Sequence, residues 1–211
     1  MDETPFYVDS PPTTTLDLIG VKSVDLLTTG NEKTRMSVVL TITSSGIMLP
    51  GFIILKNLKN VPKCALPDNV HIVAGGQKSS GFMDQYLMTK YLDTIIKPYI
   101  NGRKCLLVLD ELRSHKTQLV LNHMKQLNIQ SFLINAGHTS ELQPLDVIIN
   151  APLKGEFRAQ WEKWMMESTT TFTKSGKRQK PKYDVSFQMI SESIKKVSNP
   201  DNIKRSFIIC G

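Results

Sequence analysis

Three aspartates occupy positions where this chain could do chemistry. Asp2 lies in Met1-Asp2-Glu3-Thr4, Asp110 ends the apolar run Cys105-Leu106-Leu107-Val108-Leu109, and Asp146 closes Leu142-Gln143-Pro144-Leu145 just before a long amphipathic stretch. Each falls at the edge of an expected structural element. Carboxylates at strand ends and helix starts can converge across a sheet, and three of them make an all-oxygen site for Mg²⁺ or Mn²⁺. Two such ions about 3.5–4 Å apart stabilise both the attacking and the leaving oxygen of a phosphodiester. Taken singly, each aspartate also has a structural reading, because Asp is a common turn and N-cap residue. Asp146, at a helix start, is favoured there by the helix dipole with no metal present. The words around the three decide between these readings.

Two further features bear on the same chemistry. His115 follows Asp110 by five positions, where the next helix begins, and could assist a phosphate or simply cap and pack. Asp110 ends a buried strand, and in open α/β sheets ligands bind outside the carboxyl ends of parallel strands. The segment Lys174-Ser175-Gly176-Lys177-Arg178-Gln179-Lys180-Pro181-Lys182 has five basic residues in nine and no acidic one. Lys174, Lys177, Arg178, Lys180 and Lys182 are therefore expected on an exposed loop, either solvated or contacting nucleic acid or a nuclear import receptor. The net charge of +7 and a pI near 9.3 suit a polyanionic partner.

The elements that must position these residues can be read from period and punctuation. The first third reads as strands, Ser23–Thr28, Met36–Thr43 and Gly51–Leu55, separated by the turns Thr29-Gly30-Asn31 and Ser44-Ser45-Gly46. Short turns between consecutive strands predict an antiparallel meander. Residues 61–80 carry Pro and Gly and only one short apolar piece, Val70–Val73. Met83, Tyr86, Leu87, Tyr91, Ile95 and Tyr99 then fall at helical steps, with Pro98 ending or kinking the helix. Lys104–Asp110 and Ile129–Ile134 read as buried strands flanking a helix at Leu119–Leu127, so parallel strands with crossover helices come after the meander. Ile149, Leu153, Phe157, Trp161, Trp164 and Met165 form the apolar stripe of a last long helix, which is core packing in its simplest reading. A short helix at Val185–Val197 and a further ordered element at Ile203–Cys210 close the chain. Residues 1–167 are expected to form the core, 168–182 a basic linker, and 183–211 a helical segment packing on that core.

Composition narrows the classes. With 211 residues and 40% hydrophobic content the chain can bury a core. Cys64, Cys105 and Cys210 are odd in number and widely spaced, which argues against a disulfide framework or a zinc site and for a reducing compartment. No apolar run is long enough to span a membrane, and the start has no signal-peptide pattern. If Asp2 lies on a strand, the chain begins almost inside that strand, which suggests a fragment.

The words resemble the DDE transposase domain of the mariner/pogo superfamily, in particular its pogo and tigger-like branch with the jerky- and centromere-protein-B-like genes. Met1-Asp2-Glu3-Thr4-Pro5-Phe6 resembles the first-aspartate motif. Gly30-Asn31-Glu32-Lys33 resembles the GNEK turn, and Gly81-Phe82-Met83-Asp84 resembles GWMD. Leu109-Asp110-Glu111-Leu112-Arg113-Ser114-His115 resembles LDNAPSH, and Leu142-Gln143-Pro144-Leu145-Asp146 matches LQPLD. The resemblance runs in order along essentially the whole chain.

It implies an α/β, RNase H-like fold with a mixed sheet flanked by helices. Asp2 would lie on the first strand, Asp110 at the end of the fourth, and Asp146 on a late helix. It further implies two-metal phosphodiester hydrolysis and strand transfer with Mg²⁺ or Mn²⁺ on the three aspartates, DNA as partner, a nuclear location, no membrane, and a homodimer as one expected assembly. The chain departs from the pattern at Glu111, where the family usually has Asn and where an added carboxylate would crowd the metals. It departs again at Leu112-Arg113 and in the loop His138-Thr139-Ser140-Glu141. These departures open a second reading, a domesticated domain that keeps the fold for DNA or protein binding. A third, an RNA-processing nuclease on the same fold, fits the motifs less well.

Overall fold

The structure, a computed structural model, describes residues 1–11, 18–21, 28–31, 33–76, 79–111, 116–135, 137–168, 171–174, 176 and 178–211. Strand β1 (Asp2–Tyr7) pairs antiparallel with β2 (Arg35–Leu40), and β2 pairs antiparallel with β3 (Gly51–Leu55). The register sets Asp2 opposite Leu40 and Tyr7 opposite Arg35. The expected strand at Ser23–Thr28 falls mainly on residues 22–27, which lie outside the described residues. The short apolar piece is strand β4 (Val70–Ala74), which adds to β3 in parallel, so the first sheet is mixed rather than a pure meander. Strands β5 (Cys105–Asp110) and β6 (Ile129–Ile134) form a second, parallel pair with Asp110 beside Ile134.

Side chains alternate across a strand, and here both faces are covered. Val39, Phe52, Ile54 and Val73 point into one core with the helical run Gln85–Ile100, β5 and β6. Met36, Val38, Leu40, Ile53, Leu55, Val70 and Ile72 point into a second core on the opposite face. That is why β3 reads as an unbroken apolar run and β2 as one broken only by Ser37 after Arg35. The helical run begins at α1 (Gln85–Tyr91), where Asp84 caps the Leu87 N–H at 2.8 Å. It continues through a π-helical stretch, Leu92–Ile96, into α2 (Lys97–Ile100). Pro98 does not end it. Asn101 does, in the left-handed region at φ 45°.

Helix α3 (Gln118–Gln126), capped by Thr117, crosses between β5 and β6. A single turn, α4 (Thr139–Leu142), and a π-helical turn, Leu145–Ile149, lead into α5 (Asn150–Glu167). Helices α6 (Tyr183–Val197) and α7 (Pro200–Ile209) complete the second core, with Leu153, Phe157, Phe187, Ile190 and Ile203 buried together. Truncating one of these large residues to Ala would cost about 2–5 kcal/mol.

The turn after β1 has its own organiser. Asp9 is buried, and its carboxylate accepts from the Thr29 N–H and hydroxyl and from the Asn31 N–H at 2.7–3.1 Å. It holds the Thr29-Gly30-Asn31 turn against the end of the first strand.

Candidate active site

Asp2 is fixed by the residues around it. The Met1 nitrogen donates to the Val108 carbonyl at 2.6 Å, which ties the start of β1 to β5 two positions before Asp110. The Met1 carbonyl accepts from Gln143 Nε2 at 2.6 Å, and Gln143 is 1% exposed. Asp2 is thus anchored on one side to the strand that ends at Asp110 and on the other to the turn that presents Asp146.

The turn Leu145–Ile149 is π-helical, and the Asn150 N–H reaches back five residues to the Leu145 carbonyl. Single π turns recur at functional sites because the wider step re-aims side chains. Here it carries Asp146 and leads directly to Asn150, which lies between the two carboxylates. Asn150 Nδ2 donates to Asp2 Oδ2 at 2.7 Å and to Asp146 Oδ1 at 2.8 Å. Asn150 is 5% exposed, and its Oδ1 is buried with no hydrogen-bond partner.

Burial pushes the Asp2 carboxyl above the usual carboxylate range. The neighbouring charge of Asp146 pushes the same way, the Asn150 hydrogen bond opposes it, and Asp110 adds a smaller push upward. All three aspartates therefore belong to one electrostatic neighbourhood. Among the described residues, however, no group of three His, Cys, Asp or Glu side chains is gathered tightly enough to hold a metal ion. Two of the three carboxylates meet around an amide, and the third acts on them through space.

The donor chemistry suits a hard divalent cation, since carboxylate oxygens are what Mg²⁺ and Mn²⁺ take. The Asn150 amide, with one hydrogen toward each carboxylate, plays the part a cation shared by Asp2 and Asp146 would play. The unpartnered Oδ1 of Asn150 is a further oxygen donor beside that place. Sequence reading passed over Asn150 and Gln143. The signal for Asn150 was its spacing, one helical step of four after Asp146.

The accessory candidates fare differently. Glu111 forms an ion pair with Lys116, so its added charge is met locally. His115 and Leu112-Arg113 lie outside the described residues. In the basic segment Lys174, Lys180 and Lys182 are exposed, and Lys177 lies outside the described residues. Arg178 does not fit the expected exposed loop. It is 8% exposed, donates to the Met165 carbonyl at 2.6 Å and to Ser168 Oγ at 2.7 Å, and lies over the Trp164 ring. Phe172 pairs with Arg178, and Gln179 N–H donates to the Thr171 carbonyl, so part of the segment folds back on the end of α5. A guanidinium with fixed carbonyl acceptors is a structural cation, which charge counting along the sequence cannot distinguish from a free one. A cavity of about 340 Å³ opens beside Met1, Thr41, Leu107 and Gln143, but none of the three aspartates lines it.

With this geometry in view, comparison with known proteins is decisive. The family described as DDE superfamily endonuclease matches residues 33–207. The chain belongs to that family. It is 28% identical over 212 residues to the human "Pogo transposable element with KRAB domain", covering 99% of this chain and 34% of that protein. It is 25% identical over 216 residues to the human "Pogo transposable element with ZNF domain", covering 99% of this chain and 14% of that protein. The chain thus spans about a third or less of these relatives. Among solved structures it resembles the Mos1 transposase paired-end complex with left transposon end, with a TM-score of 0.50 and 12% identity over 100% of this chain and 54% of that one. The Mos1 strand transfer complex gives the same TM-score at 11% identity, with 100% and 53% covered. The mixed sheet with flanking helices is the RNase H-like fold of these DDE proteins.

Proposed function

We propose that this chain is the phosphodiester-cleaving core of a pogo-type transposase, acting on DNA with Mg²⁺ or Mn²⁺ at Asp2, Asp110 and Asp146. The observation that carries this reading is the Asp2–Asn150–Asp146 bridge, in which a buried amide holds the half-buried Asp2 carboxylate beside the exposed Asp146 carboxylate. Asp146 helps push the Asp2 carboxyl above the usual range, a repulsion that adds nothing to stability by itself. Asp2 and Asp146 would bind the cations from two sides, Asp110 would complete the charge from the end of β5, and Gln143 and Asn150 would hold the pair in place. Bound divalent ions would supply charge stabilisation to the attacking and leaving oxygens. Lys174, Lys180 and Lys182 would add phosphate contacts at the edge of the domain, and a nuclear location accords with a DNA substrate.

The test is nicking of supercoiled plasmid in Mn²⁺ by the parent and by Asp2→Asn, Asp110→Asn and Asp146→Asn. Nicking by the parent and its loss in each variant is the expected result. Equal nicking by all four would assign the activity to a contaminant and sink the reading. A second reading, a domesticated domain that binds DNA without cutting it, is favoured by one observation: no three-carboxylate cluster is closed among the described residues. DNA binding by a parent that never nicks would select it.

A further inference from the structure

We infer that Lys154 and Arg158 form a phosphate-binding groove that guides the DNA strand away from the aspartates along the outer edge of β1. The inference rests on the reading of Asp2, Asp110 and Asp146 as the cleaving centre, and it names the residues that hold the substrate next to it.

The groove is small, about 210 Å³, and has two walls. One wall is built by Pro5 and Tyr7 at the end of β1 and by Ser10 just beyond it. The other is α5, with Lys154 and Arg158. Its floor is apolar: Phe6 meets Phe157 edge-to-face with ring centroids 4.9 Å apart. Tyr7 stands at the lip, 42% exposed. In the first sheet, among the described residues, no further strand pairs with β1 on this side.

The position of the groove is set by helix periodicity. Asp146, Asn150, Lys154 and Arg158 recur at steps of four, which places them along one ridge of a helix. Each step rises about 6 Å along the axis. β1 runs beside the same ridge, since Asp2 meets Asn150 at one end and Phe6 meets Phe157 further on. The ridge therefore changes sign along its length, from carboxylate to amide to ammonium to guanidinium. A strand with its scissile phosphate at the carboxylates would bring later phosphates over Lys154 and then Arg158.

Both cations are available for this. Among the described residues neither Lys154 nor Arg158 forms an ion pair, although Glu156 on the same helix pairs with Lys196. Arg158 Nε is buried with no hydrogen-bond partner. A buried guanidinium nitrogen lacking an acceptor is costly, and Arg158 lines the groove, so a bound phosphate that drew the guanidinium outward would relieve it. Arginine offers a planar fork of donors that matches phosphate, lysine a point charge. The Ser10 hydroxyl and the Tyr7 ring at the opposite wall suit a phosphate oxygen and a sugar or base face.

The experiment is fluorescence-anisotropy titration of a labelled DNA oligonucleotide in EDTA over a series of salt concentrations. The proteins are the parent, Lys154→Ala, Arg158→Ala, Arg158→Lys and the Lys154→Ala/Arg158→Ala double variant, with melting curves for each. Each alanine variant should bind more weakly and lower the salt slope by about one, the double variant by about two. Arg158→Lys should keep the slope. A scan with single neutral methylphosphonates should find a position where neutralisation weakens the parent but not Lys154→Ala or Arg158→Ala. Slopes and affinities equal to the parent in both alanine variants would overturn the groove, as would a loss confined to melting temperature. A parent that binds DNA through these residues yet never nicks it would sink the cleaving reading and leave the groove standing. A parent that binds no DNA would sink both.

Discussion

Gln143 Nε2 donates to the carbonyl oxygen of Met1 at 2.6 Å, across 142 positions of sequence. The glutamine of the turn that presents Asp146 is thus spent on fixing the strand that presents Asp2. Gln143→Leu, close in volume but without the amide, leaves that buried carbonyl unpaired. We expect a loss of about 1–3 kcal/mol in urea denaturation, together with weaker stabilisation by Mn²⁺. A variant as stable as the parent would show that water replaces the amide.

Asn150 bridges Asp2 and Asp146 with two charge-assisted hydrogen bonds. Asn150→Ala should cost about 2 kcal/mol or more in the metal-free protein. Because a cation would take over the role of the amide, Mn²⁺ should raise the melting temperature of the variant more than that of the parent. An equal or smaller rise would mean that the amide and the ion do not share a place.

Asp2 contributes one part of the pH dependence of stability. Its carboxyl is held above the ordinary value of 3.8, first by burial and then by Asp146. The folded protein therefore binds that proton more tightly than the unfolded chain does. Between 3.8 and the raised folded value, stability falls as pH rises, and above that window the full cost remains. Asp2→Asn carries no charge at any pH. In EDTA it should melt higher than the parent at neutral pH, with the gap closing in acid below 3.8. A gap that stays constant across the whole range would show that charge is not its cause.

Glu111 is the departure beside Asp110, and Lys116 answers it. Both side chains are largely exposed, so Glu111→Asn should change stability by no more than about 1 kcal/mol. Lys116→Ala should do more to the site, because it removes the ammonium that pairs with Glu111 next to Asp110. The expected signature in the Lys116→Ala variant is a tighter-than-parent response to Mn²⁺ if Glu111 turns to the metal, abolished when Glu111→Asn is added. No difference between the single and double variants in a Mn²⁺ thermal titration would remove Glu111 from the site.

Arg178 and Lys180 test the two readings of the basic segment. Arg178→Ala removes a buried guanidinium from the Met165 carbonyl and Ser168 and from the face of Trp164. It should cost about 1–3 kcal/mol, whereas exposed Lys180→Ala should stay within about 0.5 kcal/mol. Equal effects in chemical denaturation would contradict the structural role of Arg178.

The sequence by itself marked β2, β3, β5 and β6 as strands and the long helices by their period, because burial on both faces makes β3 a continuous apolar run and burial on one face writes Leu153, Phe157 and Trp161 at helical steps. It also singled out Asp2, Asp110 and Asp146, through words that resemble one family in order. What it could not determine was any property that depends on who meets whom across the fold. Val70–Ala74 is too short to declare a parallel partner, and only β3 supplies one. Pro98 marks a helix boundary by rule, yet the π-helical stretch before it carries the helix on to Asn101. Arg178 and Lys180 are equivalent as charges along the chain, and only the carbonyls at the end of α5 separate a structural cation from a free one. Asn150 and Gln143 read as ordinary polar residues until β1 is laid against the turn before α5. Side-chain period is local and is written in the chain, whereas hydrogen-bond partners more than a hundred positions apart exist only once the tertiary structure has brought them together.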